Sequence, residues 1–159
     1  MEAFSFRHAG LADLGLLLDL REEVLRAANG LPASADLGPI REHSCAYYQD
    51  ALPSGEHLAI LAFAGDAFAA CGAVSFYRVL PTVHNPSGRK AYIMNLYTRE
   101  AFRRRGLARA ILTRLIEEAR KAGAGQILLE TTSMGRPLYE SEGFVSMPDE
   151  MELVSPRHP

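Results

Sequence analysis

The segment Ala91-Tyr92-Ile93-Met94-Asn95-Leu96-Tyr97-Thr98, with the Arg99-Glu100-Ala101-Phe102-Arg103-Arg104-Arg105-Gly106-Leu107-Ala108-Arg109 that follows it, constrains this chain more than any other. Both alternating residue sets of its first half are largely apolar, which predicts a central strand covered on both faces. That strand feeds a basic, glycine-bearing turn. An amphipathic helix comes next: Ala108, Ile111, Leu112, Leu115, Ala119 and Ala122 share one face, while Arg114 with Glu118 and Glu117 with Lys121 pair one turn apart on the other. Gly123 and Gly125 predict its end near Ala122. A helix start leaves backbone N–H groups unpaired and carries partial positive charge, so this order of elements makes an anion site. Gly106 and the small Ala108 let a phosphate come close to the backbone, and glycine tolerates the turn geometry.

The run Arg103-x-x-Gly106-x-Ala108, after an apolar strand and before an amphipathic helix, resembles the acyl-coenzyme A pyrophosphate loop of the GNAT acetyltransferase superfamily. A second GNAT-like element, Leu138-Tyr139-Glu140-Ser141-Glu142-Gly143-Phe144, follows at the expected distance, with a strand-like Gln126 to Thr132 between them. The resemblance implies a mixed, mostly antiparallel central sheet flanked by helices, an α/β fold of the α+β type, over a single domain covering 1–159. It also implies that the fourth and fifth strands splay apart to admit the pantetheine arm.

The same resemblance implies acetyl transfer from acetyl-CoA to the primary amine of a small molecule or protein, by direct attack. Backbone N–H groups of Arg104, Arg105, Gly106, Leu107, Ala108 and Arg109 are then expected to hold the pyrophosphate, and the main chain of Leu96, Tyr97 and Thr98 the pantetheine amides. Tyr139 matches the tyrosine that donates a proton to the departing thiolate, a task its ordinary pKa near 10 allows. The chain departs from the common pattern in two places. Ala108 stands where glycine is more frequent, and no asparagine lies between Glu130 and Tyr139, where Thr132 and Ser133 are the available substitutes.

The general base is less defined. Glu130, on a strand expected to face the cofactor gap, is one candidate; Glu22 and Glu23 on the first helix and His84 in a loop are others, and a water relay is the alternative to them all. Asn95 stands out because a carboxamide in an apolar strand costs free energy unless paired. It either orients substrate or a water, or pairs with a bulge in its own strand. Tyr47, Tyr48, Phe76 and Tyr77 are candidates for the wall of an acceptor pocket.

Composition narrows the alternatives. A chain of 159 residues suits one domain, and a net charge of -2 argues against a protein that coats nucleic acid, so a compact anion explains the local arginines better than a long one. Two cysteines, Cys45 and Cys71, lack metal-ligand spacing, and neither a secretory leader nor an apolar stretch of about 20 residues is apparent. A cytoplasmic protein with no metal and no membrane partner is expected, and a homodimer through the terminal strands or a sheet edge is compatible with the pattern. Two rival functions follow from the same residues: a non-catalytic acyl-CoA-binding or sensor protein, and a nucleic-acid module built on the arginine run.

The remaining elements read in order. Phe4 to His8 is a strand, and Leu14, Leu17, Leu18, Val24, Leu25 and Ala28 form a helical stripe ending at Gly30 and Pro32. Asp36 is the expected N-cap of a second helix through Ala51, with Ile40, Ser44, Tyr47 and Tyr48 inward and Pro53 stopping it. His57 to Ala64 and Ala67 to Tyr77 pair about the Gly65-Asp66 turn. Pro81 to Lys90 is a loop expected to border the substrate pocket. Pro137 starts a short helix that Gly143 ends, and Phe144 to Met147 with Met151 to Val154 are expected to form a terminal hairpin.

Overall fold

The computed structural model describes residues 3–155. Strands β1 (Phe4–His8), β2 (His57–Ala64), β3 (Ala67–Arg78), β4 (Arg89–Thr98) and β5 (Gln126–Leu129) form one sheet in sequence order. The first four strands pair antiparallel, and β5 joins β4 in parallel. Parallel neighbours need a crossover, and helix α3 (Leu107–Lys121) supplies it. Helices α1 (Leu14–Asn29) and α2 (Gly38–Ser54) precede β2, and the short α4 (Arg136–Ser141) follows β5.

Two cores explain the apolar patterns. On one face of the sheet, Ile111, Leu112, Leu115 and Ala119 of α3 pack on Ile60, Val74, Ala91 and Ile93. On the other, Leu17, Leu20, Val24 and Tyr48 of α1 and α2 pack on Ala59, Leu61, Cys71 and Ala73. Strand β4 therefore has helices over both faces, as its two apolar sets predict. Helix α3 comes so close to β3 at Gly72 that a Cβ there would lie 2.6 Å from Ile111 Cγ2.

Register creates the gap that matters. Between Cys71↔Tyr97 and Ala73↔Met94 strand β4 carries one extra residue, a bulge at which Asn95 adopts a φ of 58°. Pairing of β4 with β5 runs only from Lys90↔Gln126 to Ile93↔Leu129, so the β5-side edge of Met94 to Thr98 is left without a strand partner. The splay implied by the family resemblance thus has a local cause. β5 stops at Leu129, not Thr132, because the chain leaves the sheet for α4 through a turn in which Thr132 Oγ1 accepts from Gly135 N at 3.3 Å.

Other boundaries move for local reasons. Asp36 Oδ1 accepts from Gly38 N at 2.9 Å in a turn just before α2 instead of capping the helix, and Pro39 occupies its first turn. Pro53 sits inside the last turn, and Gly55, at φ 77°, ends the helix. Of the expected inward residues, Tyr48 is buried but Ile40 and Tyr47 are exposed. The terminal hairpin does not form within the described residues: 142–155 carry no strand, and Val145, Met151, Leu153 and Val154 are exposed. Two short runs interrupted by Pro148 bury too little to offset the cost of ordering them.

Candidate active site

The turn before α3 is built as an anion site. Arg104 and Gly106 both have positive φ, 63° and 79°, and turn the chain sharply into the helix. The first α-helical bond runs from Ala110 N to Gly106 O at 3.0 Å, and no side chain caps the preceding amides of Leu107, Ala108 and Arg109. A Cβ at Gly106 would meet nothing within 4 Å, so the space in front of those donors is open. The adjoining cavity, about 550 Å³, is lined by Leu96, Tyr97, Thr98, Arg103, Arg104, Gly106, Leu107, Ala108, Arg109, Thr132, Leu138 and Tyr139, among others. Of the residues expected to hold the cofactor, Arg105 alone is absent from this lining; its guanidinium lies 5.6 Å from the Phe102 ring centroid.

These groups fit a phosphorylated, amide-bearing arm. The open edge of β4 offers unpaired main-chain groups beside the uncapped helix start, and Thr98 Oγ1 is buried with no hydrogen-bond partner among the described residues. Two arginine side chains act structurally: Arg103 Nε donates to Thr98 O at 3.1 Å, while Arg109 binds Glu142 and donates to Ser141 Oγ at 3.0 Å. Arg109 thereby ties α3 to α4 and holds Tyr139 over the cavity. Thr132, a substitute for the missing asparagine, lines the cavity as well.

Tyr139 is half-buried, with its ring edge-on to Phe144 at 6.0 Å. Burial raises its phenol pKa, so the proton stays in place at neutral pH. Its hydroxyl makes no protein hydrogen bond among the described residues.

The base candidates fare differently. Glu130 lies just past the end of β5, exposed; it lines a second cavity, with Arg136 and Glu150, that touches the first only through Tyr139. Its expected place on a strand facing the cofactor gap is thus corrected, because β5 ends one residue earlier. Glu22 is bound by Arg41 at 2.9 Å. Glu23 accepts from Arg99 Nε and Nη2 at 3.0 and 2.9 Å and from Tyr97 Oη at 3.1 Å, which holds its carboxyl below the usual range. His84 is exposed on a loop that is pinned away from both cavities by buried Asn85, whose Nδ2 donates to Arg89 O at 2.9 Å. That loop does not border the site as expected.

Beyond the Asn95 bulge, on the α1/α2 face, lies a third cavity of about 480 Å³. Tyr47, Tyr48 and Asn95 line it together with Arg21, His57 and Met94, whereas Phe76 and Tyr77 line a different surface depression. Asn95 takes the structural one of its two expected roles: it sits at the bulge, its carbonyl accepts from Cys71 Sγ at 3.4 Å, and its Oδ1 accepts from Arg21 Nη1 at 3.0 Å. Burial pushes the Cys71 thiol up to about 12, which leaves it inert.

His57 and Arg21 were not among the expected residues, although each leaves a trace in the sequence. Arg21 interrupts the apolar stripe of α1, one turn from Leu17, Leu18 and Val24, and His57 opens an otherwise apolar strand. His57 Nδ1 lies 3.1 Å from Tyr47 Oη and 3.0 Å from Ser75 Oγ, and its Nε2 is buried without a hydrogen-bond partner among the described residues.

Burial, then the Arg21 charge, lowers the His57 pKa from 6.5 to about 4. The unfolded chain therefore binds a proton first as pH falls below 6.5, and folding loses stability until about pH 4. His57→Gln is expected to remove on the order of 2–3 kcal/mol of that acid-side loss. Parent and variant are compared by urea unfolding between pH 7 and pH 4; parallel curves would mean the ring is not held neutral. Losses from Asp13 and Glu23, whose pKa values lie low beside Arg7 and Arg99, occur in both proteins and cancel.

Comparison with known proteins agrees with this geometry. Residues 19–144 match the model of the acetyltransferase (GNAT) family. A curated relative, the uncharacterized N-acetyltransferase YsnE of Bacillus subtilis (strain 168), is 39% identical over 88 residues, a match spanning about half of each chain (52%). A predicted acetyltransferase of Clostridium acetobutylicum, solved with acetyl-CoA, superposes with a TM-score of 0.86 at 29% identity, covering 96% of each chain. A GCN5-related N-acetyltransferase from Ralstonia eutropha JMP134, at a TM-score of 0.82 and 24% identity over 96% of this chain and 99% of that one, shares the fold. No helix among the described residues is long and apolar enough to cross a membrane.

Proposed function

The chain belongs to the GNAT acetyltransferase family, and from that premise we propose that it moves an acetyl group from acetyl-CoA to a primary amine by direct attack. One observation carries this activity: the uncapped start of α3, the open edge of β4 and Tyr139 line a single cavity. Acetyl-CoA, when bound, supplies the activated acetyl thioester. The amides from Arg104 to Arg109 bind its pyrophosphate, and the main chain of Leu96 to Thr98 orients the pantetheine amides. Tyr139 donates the proton that the departing sulfur needs. With Glu23 tied to Arg99 and Glu130 lining a different cavity, the amine's proton passes to water.

The purified chain is expected to release free thiol from acetyl-CoA over a panel of amines and peptides. Calorimetric binding of acetyl-CoA without thiol release from any acceptor would make it an acyl-CoA-binding or sensor protein instead. Cytoplasmic residence, supported by the free thiols of Cys45 and Cys71, and a homodimer, supported by the exposed apolar segment after Phe144, belong to the same proposal. Cell fractionation and molar mass by light scattering test them.

A further inference from the structure

The third cavity has a charge pattern that selects among amines. Its lining contains one arginine and no aspartate or glutamate. Arg21 is half-buried, spends one donor on Asn95 Oδ1, and forms no ion pair among the described residues. A guanidinium has five donors and cannot shed its charge, so a partly desolvated one without a carboxylate favours an anionic ligand and repels a cationic one. The chain as a whole carries a net charge of -2, but the local field in this cavity is of the opposite sign. The remaining wall is largely apolar and aromatic, with His43 and Ser44 its other polar side chains: Tyr47, Tyr48 and His57 pack with ring centroids 5.3 to 5.9 Å apart, beside Met94 and Ile40.

Position adds the second constraint. Arg21 meets the sheet at Asn95, the residue immediately before the Leu96–Thr98 edge assigned above to the donor's arm. Because Asn95 adjoins that edge in the chain, an anion held by Arg21 would sit on the acceptor's side of it. A carboxylate one carbon from the amine satisfies both demands, and a side chain of apolar or aromatic character fills the rest of the cavity. His57 Nε2, in the same lining and buried without a hydrogen-bond partner among the described residues, adds a neutral hydrogen-bonding group to this polar end.

The geometry points to an α-amino acid with an apolar or aromatic side chain as the acceptor, its carboxylate held by Arg21 beside Asn95. This rests on the assignment of the β4 edge to acetyl-CoA. The step balances: the ammonium loses one proton to water, nitrogen forms a C–N bond with the acetyl carbon as the C–S bond breaks, and the nitrogen's second departing proton goes to water while Tyr139 protonates sulfur and is recharged from solvent. The amide product keeps its carboxylate on Arg21.

Two readouts separate this inference from the activity it builds on. Thiol release is measured with leucine, methionine and phenylalanine against their carboxamides, and binding of the same amino acids is measured by calorimetry in the presence of CoA. The acids are expected to exceed the amides by about 30-fold in kcat/KM, and Arg21→Gln to raise the amino-acid KM by at least about tenfold with acetyl-CoA affinity unchanged. Arg21→Lys, which keeps the charge but not the fork, is expected to lie between. Thiol release that ignores the carboxylate or Arg21 overturns the inference and leaves the transferase standing. Arg21-dependent amino-acid binding without thiol release from any acceptor supports the subsite and removes the transferase. The absence of both amino-acid binding and thiol release overturns the inference outright.

Discussion

Gly106→Asp is expected to weaken acetyl-CoA binding by about 100-fold or more while costing the fold no more than about 1–2 kcal/mol near neutral pH. The separation of the two effects comes from the position. Gly106 is the N-cap of α3, and no side chain caps that helix. An aspartate there is near the first-turn amides and complements the helix dipole, which offsets part of the roughly 1–2 kcal/mol that a φ of 79° costs a residue with a Cβ. Those amides are the ones proposed for the pyrophosphate, and its charge repels that group. Gly106→Asn, which lacks the charge, is expected to lose affinity by a smaller factor. Calorimetry with acetyl-CoA decides: an Asp variant that binds as tightly as the parent sinks the pyrophosphate assignment.

The second large effect is expected at Tyr139. Tyr139→Phe keeps the ring and its edge contact with Phe144, so stability and acetyl-CoA affinity should remain close to the parent's. Only the hydroxyl is lost, and it has no protein partner among the described residues. Removing a general acid costs about 100-fold to 10,000-fold where proton transfer limits the rate, and more than tenfold where it is partly limiting. Because burial raises the phenol pKa, the parent should hold its rate through neutral pH, with the acid's loss confined to the alkaline side. An unchanged kcat in the variant would leave Tyr139 as a packing residue between the two cavities it lines.

The cavity proposed for the cofactor is the part whose lining is legible in the sequence. Its residues lie in continuous segments: Leu96 to Thr98 run along one strand, and Arg104 to Arg109 wrap one turn. Local rules for helix starts and glycine turns act on such segments, and eight of the nine expected residues line the same cavity. Arg105 is the exception because its side chain lies over Phe102, a contact set by the turn before the helix. The acceptor side was hardly legible. Arg21, Tyr47, His57 and Asn95 come from two helices and two strands, and no spacing links them. Arg21 and His57 each read as an irregularity in an apolar pattern, and only packing places them beside the bulge.

Glu130 and the terminal hairpin mark where local pattern misled. The apolar run after Gln126 predicts a strand to Thr132, but the chain turns away after Leu129, which removes Glu130 from the gap. The runs Phe144 to Met147 and Met151 to Val154 have strand-like composition without the cross-strand burial that makes a pair stable.

By itself the sequence determined the mixed fold, the strand-turn-helix proposed to receive a phosphate and the candidate proton donor, because each depends on periodicity and backbone preferences within a few neighbouring residues. Tertiary structure decided the rest. An extra residue in β4 and the early end of β5 open the gap, and the packing of α1 and α2 over that bulge leaves a lone arginine facing an apolar cavity. Charge selectivity arises from which groups share a partly desolvated space, and residues distant in sequence share one only after the chain has folded.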